Sequence, residues 1–164
     1  MYLWIVRHAI AIDRDDPECP ADPDRELTPR GRQRMEREAR GFASLGIAPE
    51  RIVSSPLVRA FQTAEVIAQV LRHPEVEITP TLVGDEDPRA LIAELSRSPN
   101  EDTLLCGHAP QVDALIAHIC RAPEPFTRLK KGGVAALECP AGIEGPGSLL
   151  WLQTPKQLRG RAGD

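Results

Sequence analysis

The side chains equipped for chemistry in this 164-residue chain fall at a few sharply defined places. Arg7-His8 follows the apolar run Met1-Tyr-Leu-Trp-Ile-Val6, and Gly107-His108 follows Asp102-Thr-Leu-Leu-Cys106. Between them stands Ser54-Ser55-Pro56-Leu57-Val58-Arg59. An imidazole with one unprotonated nitrogen is a nucleophile if a fixed partner holds its other nitrogen. An arginine fork matches two oxygens of a phosphoryl group and stays charged. Phosphoryl transfer asks mainly for positioning and for positive charge at the peripheral oxygens. The working expectation is therefore that His8 is a nucleophile and that Arg7 holds the phosphoryl group it attacks. Arg59 and His108 complete the set if all four residues reach one sheet edge.

A single buried histidine is more often a hydrogen-bonded core residue, and arginines behind proline-started helices commonly face solvent. The joint pattern is what favours an oxyanion site. The chain has no Gly-rich phosphate loop and no HExxH, so side chains would have to hold the phosphate, and several cations are needed.

These residues need elements to position them. The apolar run before Arg7 reads as a strand buried on both faces, the kind found at the centre of a parallel sheet. Ligands of such sheets bind beyond the carboxyl ends of the strands. Residues 12–27 are rich in Asp, Pro and Arg and read as a loop long enough to be functional. Thr28-Pro29 starts a helix, with Thr28 as N-cap and Met35, Ala39, Phe42 and Ala43 along one face. Residues 51–54 form a second strand, and Ser55-Pro56 repeats the cap-and-proline start for a helix through about Leu71. A weak third strand covers residues 76–79, an acidic loop 81–88, a short helix 89–97 and a fourth strand 102–106. Another helix opens at Pro110. Segments 133–139 and 148–153 flank a Gly/Pro-rich turn and read as a β-hairpin. The pattern predicts an α/β fold, a three-layer α/β/α arrangement with a mainly parallel central sheet and a C-terminal β-hairpin. Residues 1–155 form one domain, and 156–164 read as a polar, frayed tail.

Hydrophobic residues make up 41% and charged residues 27% of the chain, which marks a globular protein. A net charge of -4 gives no general attraction to nucleic acid or to an anionic membrane, so any anion site must be local. No apolar run approaches the roughly 20 residues that span a bilayer, and a cytoplasmic location is expected. The four cysteines are widely spaced and should be reduced there. Cys106 reads as a core residue, since a phosphatase cysteine would want Arg six residues on and position 112 is Val. The cysteines with His118 lack zinc-ligand spacing.

Taken together, Arg7-His8, Leu27-Thr28-x-x-Gly31, Ser54-Ser55-Pro56-Leu57-x-Arg59-Ala60-x-Gln62-Thr63-Ala64 and Gly107-His108 resemble the histidine phosphatase superfamily, phosphoglycerate-mutase-like in fold. The short inter-strand segments look most like its SixA-type branch, the protein-phosphohistidine phosphatases. The resemblance implies that His8 is the nucleophile and passes through a phospho-His8 intermediate. Arg7, Arg59 and His108 become its phosphate pocket, Arg25 of Arg-x-Leu-Thr a further phosphate contact, and no metal or cofactor is required. The implied substrate is a phosphohistidine-bearing protein, such as a histidine-containing phosphotransfer domain. The superfamily usually has glycine after Arg-His; this chain has Ala9, as SixA-type chains often do. Many members carry a glutamate general acid after the third strand, where this chain offers Asp85, Glu86 and Asp87 without a clear match. An alkoxide leaving group needs such an acid, whereas a protonated imidazole leaves readily. The alternatives are a phosphomonoesterase acting on small phosphoesters with one of those acids, and a non-catalytic phosphate-binding module.

Overall fold

A computed structural model describes residues 1–73, 75–83, 87–97 and 101–163. Its centre is a six-stranded sheet with strand β1 at Tyr2–Arg7, β2 at Arg51–Ser54, β3 at Glu77–Ile78, β4 at Thr103–Gly107, β5 at Val134–Glu138 and β6 at Ser148–Gln153. The spatial order is β3-β2-β4-β1-β5-β6. β1, β2, β3 and β4 run parallel, while β5 lies antiparallel to β1 and pairs with β6 as a hairpin. The helices are α1 at Pro29–Ala43, α2 at Val58–Leu71, α3 at Pro88–Leu95, α4 at Gln111–Ile119 and α5 at Pro155–Arg161. The expected three-layer, mainly parallel α/β fold with a C-terminal hairpin is what the chain adopts.

The central strands are apolar on both faces because both are covered. Along β1, Trp4 and Val6 enter a core with Met35 and Phe42 of α1, Ala64 and Ile67 of α2, and Leu158 of α5. Leu3 and Ile5 enter the opposite core, with Leu91 and Leu95 of α3 and Leu115 and Ile116 of α4. Alternation at period two sends neighbouring residues to opposite layers. Each fully buried Leu or Ile contributes roughly 1.5–3 kcal/mol of transfer free energy.

Two local readings are corrected. α2 starts at Val58 with Leu57 at the N-cap position and no side-chain cap; Ser55 is occupied elsewhere. Residues 155–161 are a helix rather than a frayed tail. Thr154 and Gln157 form a reciprocal capping box, and Leu158 is fully buried against α1. Gly41 makes that docking possible, since a Cβ there would strike the Leu158 carbonyl. Among the described residues no helix is long and apolar enough to cross a membrane.

Candidate active site

β1 and β4 are parallel neighbours in a register that sets Arg7 beside Gly107. The next residue of each strand is a histidine, and the His8 N–H donates to the Gly107 carbonyl at 2.9 Å. Neighbouring strands lie about 4.8 Å apart, and the two imidazole centroids are 5.1 Å apart, inclined at 51°. They belong to one cavity of about 400 Å³ that Arg7, His8, Arg25, Arg59 and His108 line with Ala109. Asp13, Arg14, Asp15 and Lys131 line it as well, and all four are exposed.

His8 is 6% exposed. Its Nδ1 lies 2.7 Å from the Ala9 carbonyl oxygen. A carbonyl only accepts, so Nδ1 must carry the proton and Nε2 keeps its lone pair. Burial drives the His8 pKa from 6.5 down to about 3. The Ala9 hydrogen bond opposes that shift, and His108, Arg59 and Arg7 reinforce it. The imidazole is neutral at physiological pH although it sits among cations. Ala9 is itself fixed, because its N–H donates to Thr63 Oγ1 at 2.9 Å and that hydroxyl donates to the Arg59 carbonyl at 2.7 Å.

His108 is held from the other side. Its Nε2 is 2.8 Å from Ser55 Oγ, which also accepts the Leu57 N–H at 3.3 Å. Among the described residues the serine proton has no acceptor other than His108 Nε2, an arrangement that leaves Nδ1 as a donor. Burial first, then the charge of Arg59, lowers the His108 pKa to about 4.

The arginines are clamped by groups from distant segments. Arg7 Nη1 donates to the Leu129 carbonyl at 2.9 Å. Arg59 donates to the Asp22 carbonyl at 2.7 Å and to its carboxylate at 3.1 Å. Arg25 reaches the same carboxylate at 3.0 Å and the Ile12 carbonyl at 2.7 Å. Arg14 reaches that carboxylate too, at 2.9 Å. Burial would raise the Asp22 pKa, but the Arg14 hydrogen bond and the charges of Arg59, Arg14 and Arg25 outweigh it and hold the carboxyl below its usual range. Three buried nitrogens around the cavity, Arg7 Nε, Arg59 Nε and His108 Nδ1, have no hydrogen-bond partner among the described residues. Buried donors are rarely left so, and a cluster of them beside a neutral imidazole suits an oxyanion.

The loop from Ile10 to Thr28 is fastened to this frame. The Thr28 N–H donates to the Ile10 carbonyl at 3.0 Å, and the Leu27 N–H to Gln62 Oε1 at 2.7 Å. Gly31 must be glycine because a Cβ would overlap the Ile10 carbonyl oxygen. Gly132, at φ +81°, donates its N–H to the Arg7 carbonyl at 2.9 Å and so ties the turn before β5 to the end of β1.

Of the acidic-loop candidates, Asp85 and Glu86 lie outside the described residues. Asp87 caps α3 and pairs with exposed Arg89. The Arg89 N–H helps to hold its carboxyl below the usual range, opposite to what a general acid needs. Asp87 is not among the residues that line the cavity, where the carboxylates at the mouth are Asp13 and Asp15. Sequence reasoning missed Asp22, the pairing of Ser55 with His108, and Lys131. Only Ser55 had a signal, its place in the Ser-Ser-Pro element.

The comparisons agree with this geometry. The family model "Histidine phosphatase superfamily (branch 1)" matches residues 3–83. An uncharacterized protein of Picosynechococcus sp. is 33% identical, with 96% of this chain and 99% of that protein covered. Phosphohistidine phosphatase SixA of Escherichia coli is 28% identical, with 97% of each chain covered. A structure of the protein histidine phosphatase SixA complexed with tungstate superposes with a TM-score of 0.85 at 26% identity, covering 96% of this chain and 99% of that one. The chain is a phosphatase that belongs to the histidine phosphatase superfamily, and within it to the SixA-type branch.

Proposed function

We propose that the protein is a phosphohistidine phosphatase that removes phosphoryl groups from histidine on a partner protein through a phospho-His8 intermediate. The observation that carries this reading is the pairing of a neutral, tautomer-fixed His8 with three buried nitrogens, Arg7 Nε, Arg59 Nε and His108 Nδ1, that have no partner among the described residues. His8 Nε2 attacks phosphorus in line. The new N–P bond forms as the P–N bond of the substrate breaks, and the departing imidazole takes up a proton. Arg7, Arg25, Arg59 and His108 hold the peripheral oxygens. Water then attacks phospho-His8, releasing inorganic phosphate and restoring the imidazole.

The leaving group favours this substrate over a phosphoester. Transfer between two imidazoles exchanges like bonds, so the first step is nearly thermoneutral and needs no strong acid. Among the described residues, the carboxylates that line the cavity, Asp13 and Asp15, are both exposed, and neither sits in the buried, apolar setting that keeps a carboxylic acid protonated. The SixA relative named for this activity and the oxyanion tungstate bound in a SixA structure support the same reading.

Turnover of a phosphohistidine protein should be compared with that of a panel of sugar and nucleotide monophosphates. The reading requires the phosphohistidine protein to be the better substrate by kcat/KM. A faster phosphomonoester would replace it with the phosphoesterase alternative, and Asp13 and Asp15 would become the acids to test.

A further inference from the structure

Behind the catalytic cavity lies a second one of about 390 Å³, where α1, α5 and the turn at residues 130–133 meet. Its cations are Arg7, Arg34, Lys130, Lys131 and Arg159; its single carboxylate is Glu38. Arg7 and Lys131 line both cavities, so a group held in one is a side chain away from a group held in the other.

Glu38 is already engaged. It is 3% exposed and pairs with Arg159 from α5. Burial pushes its pKa up to about 7, against the charge and hydrogen bond of Arg159 and the charge of Arg34. Among the described residues, Arg34, Lys130 and Lys131 have no carboxylate partner. A chain with a net charge of -4 thus gathers five cations around one spoken-for carboxylate. Solvated lysines on a random patch would explain Lys130 alone. They do not explain a turn whose neighbours are tied to the nucleophile's own strand. Leu129 accepts from Arg7, Gly132 donates to the Arg7 and His8 carbonyls, and the Gly133 N–H closes on the Lys130 carbonyl at 2.7 Å.

We propose that this cavity is a second anion subsite, which takes a carboxylate of the substrate while the phosphoryl group sits at His8. The inference rests on the placement of the phosphoryl group given above and deepens it. In a phosphohistidine protein the carboxylate belongs to an aspartate or glutamate flanking the modified histidine. Arg34 supplies a fork for it and Lys130 a movable point charge. Uneven cations facing one another repel, and a bound anion relieves that repulsion.

The test is inhibition of the phosphatase by short ω-carboxyalkyl phosphonates, each compared with its own methyl ester. Acid and carboxyl methyl ester differ in the carboxylate charge and one methyl group, and neither compound has a leaving group. The acids should inhibit about tenfold more tightly than the esters, and added salt should narrow the gap. In the Arg34→Ala/Lys130→Ala double variant the ratio should fall to within about twofold. Both side chains reach solvent, so these changes leave the core intact. Equal inhibition by acid and ester in the wild type overturns the proposal, as does a ratio that survives the double variant. Phosphonate binding does not depend on phosphohistidine turnover. If the acids bind tightly and no phosphohistidine protein is hydrolysed, the substrate reading fails while the subsite stands. A flanking-acid preference among phosphohistidine peptides, lost in the double variant, would extend the result to protein substrates.

Discussion

The ends of β1 and β4 are built alike and finished differently. Both are apolar strands that run parallel, side by side, and each delivers a buried histidine to the same cavity. Burial depresses both imidazoles into the same range, to about 3 and about 4. At β1 the partner of the ring is a backbone carbonyl on Nδ1, which admits one tautomer and frees Nε2. At β4 the partner is a hydroxyl on Nε2, which can donate or accept, and Nδ1 is left over. The contrast suits a nucleophile at one strand end, where the lone pair must never be lost, and an oxyanion donor at the other. It also separates a contact that no side-chain substitution can remove from one that a single substitution can.

The widest gap between the two ends should appear when the rings themselves are removed. His8→Ala should abolish turnover, a fall of about 10⁴-fold or more, and no phosphoenzyme should be trapped by rapid quench at neutral or alkaline pH. Retained turnover would end the assignment. His108→Ala should lower kcat by about 10²-fold and still allow the phosphoenzyme to form, because only a donor is lost. If both variants are equally dead, the two ends do not divide the work as described.

A smaller effect sharpens the contrast at β4. Ser55→Ala removes the side chain that hydrogen-bonds His108 among the described residues and should lower kcat about fivefold, the worth of one buried hydrogen bond. In a His108→Ala background the same change should do nothing further. A second drop there would mean that Ser55 acts on the substrate directly. Asp22→Asn keeps an acceptor for Arg59 and Arg25 while removing the charge. It should raise KM severalfold for phosphoryl substrates with a smaller change in kcat, measured by steady-state kinetics.

A further signal is thermodynamic and treats the two ends as equals. A histidine whose pKa is lower in the fold than in the unfolded chain binds a proton more readily when unfolded. Stability is then full above pH 6.5 and is lost as pH falls through the window from 6.5 toward 3 or 4. Each ring should cost up to about 2 kcal/mol between pH 7 and 5. Denaturant unfolding at the two pH values reads this, and either His→Ala variant should lose about half of the pH dependence attributed to the pair. Activity should show no acid limb from His8 between pH 7 and 5, since the ring stays neutral throughout.

Much of the architecture is legible because it is local. Tyr2–Arg7, Arg51–Ser54 and Thr103–Gly107 declare themselves by short apolar runs, and Thr28-Pro29 by a cap and a proline. The end of the chain misleads for a physical reason. Pro155–Arg161 carries one buried apolar residue, Leu158, and so lacks a stripe; its helix depends on docking against Gly41 and on the Thr154–Gln157 box. Ser55 misleads in the opposite sense, because a good capping residue is drawn instead to a histidine 53 positions away.

What the sequence determined by itself is the chemistry on offer: which strands exist, that they end in Arg-His and Gly-His, and that arginines rather than a Gly-rich loop must hold any phosphate. These follow from side-chain period, caps and residue type, all set within a few positions. What the tertiary structure alone decided is how that chemistry is poised. Asp22 meets Arg59 across 37 positions and Arg7 meets the Leu129 carbonyl across 122, and strand register brings the two rings to 5.1 Å. Which nitrogen stays free, which guanidinium is pinned and how dry the imidazoles are depend on groups remote in the chain, and only folding brings those within hydrogen-bond reach.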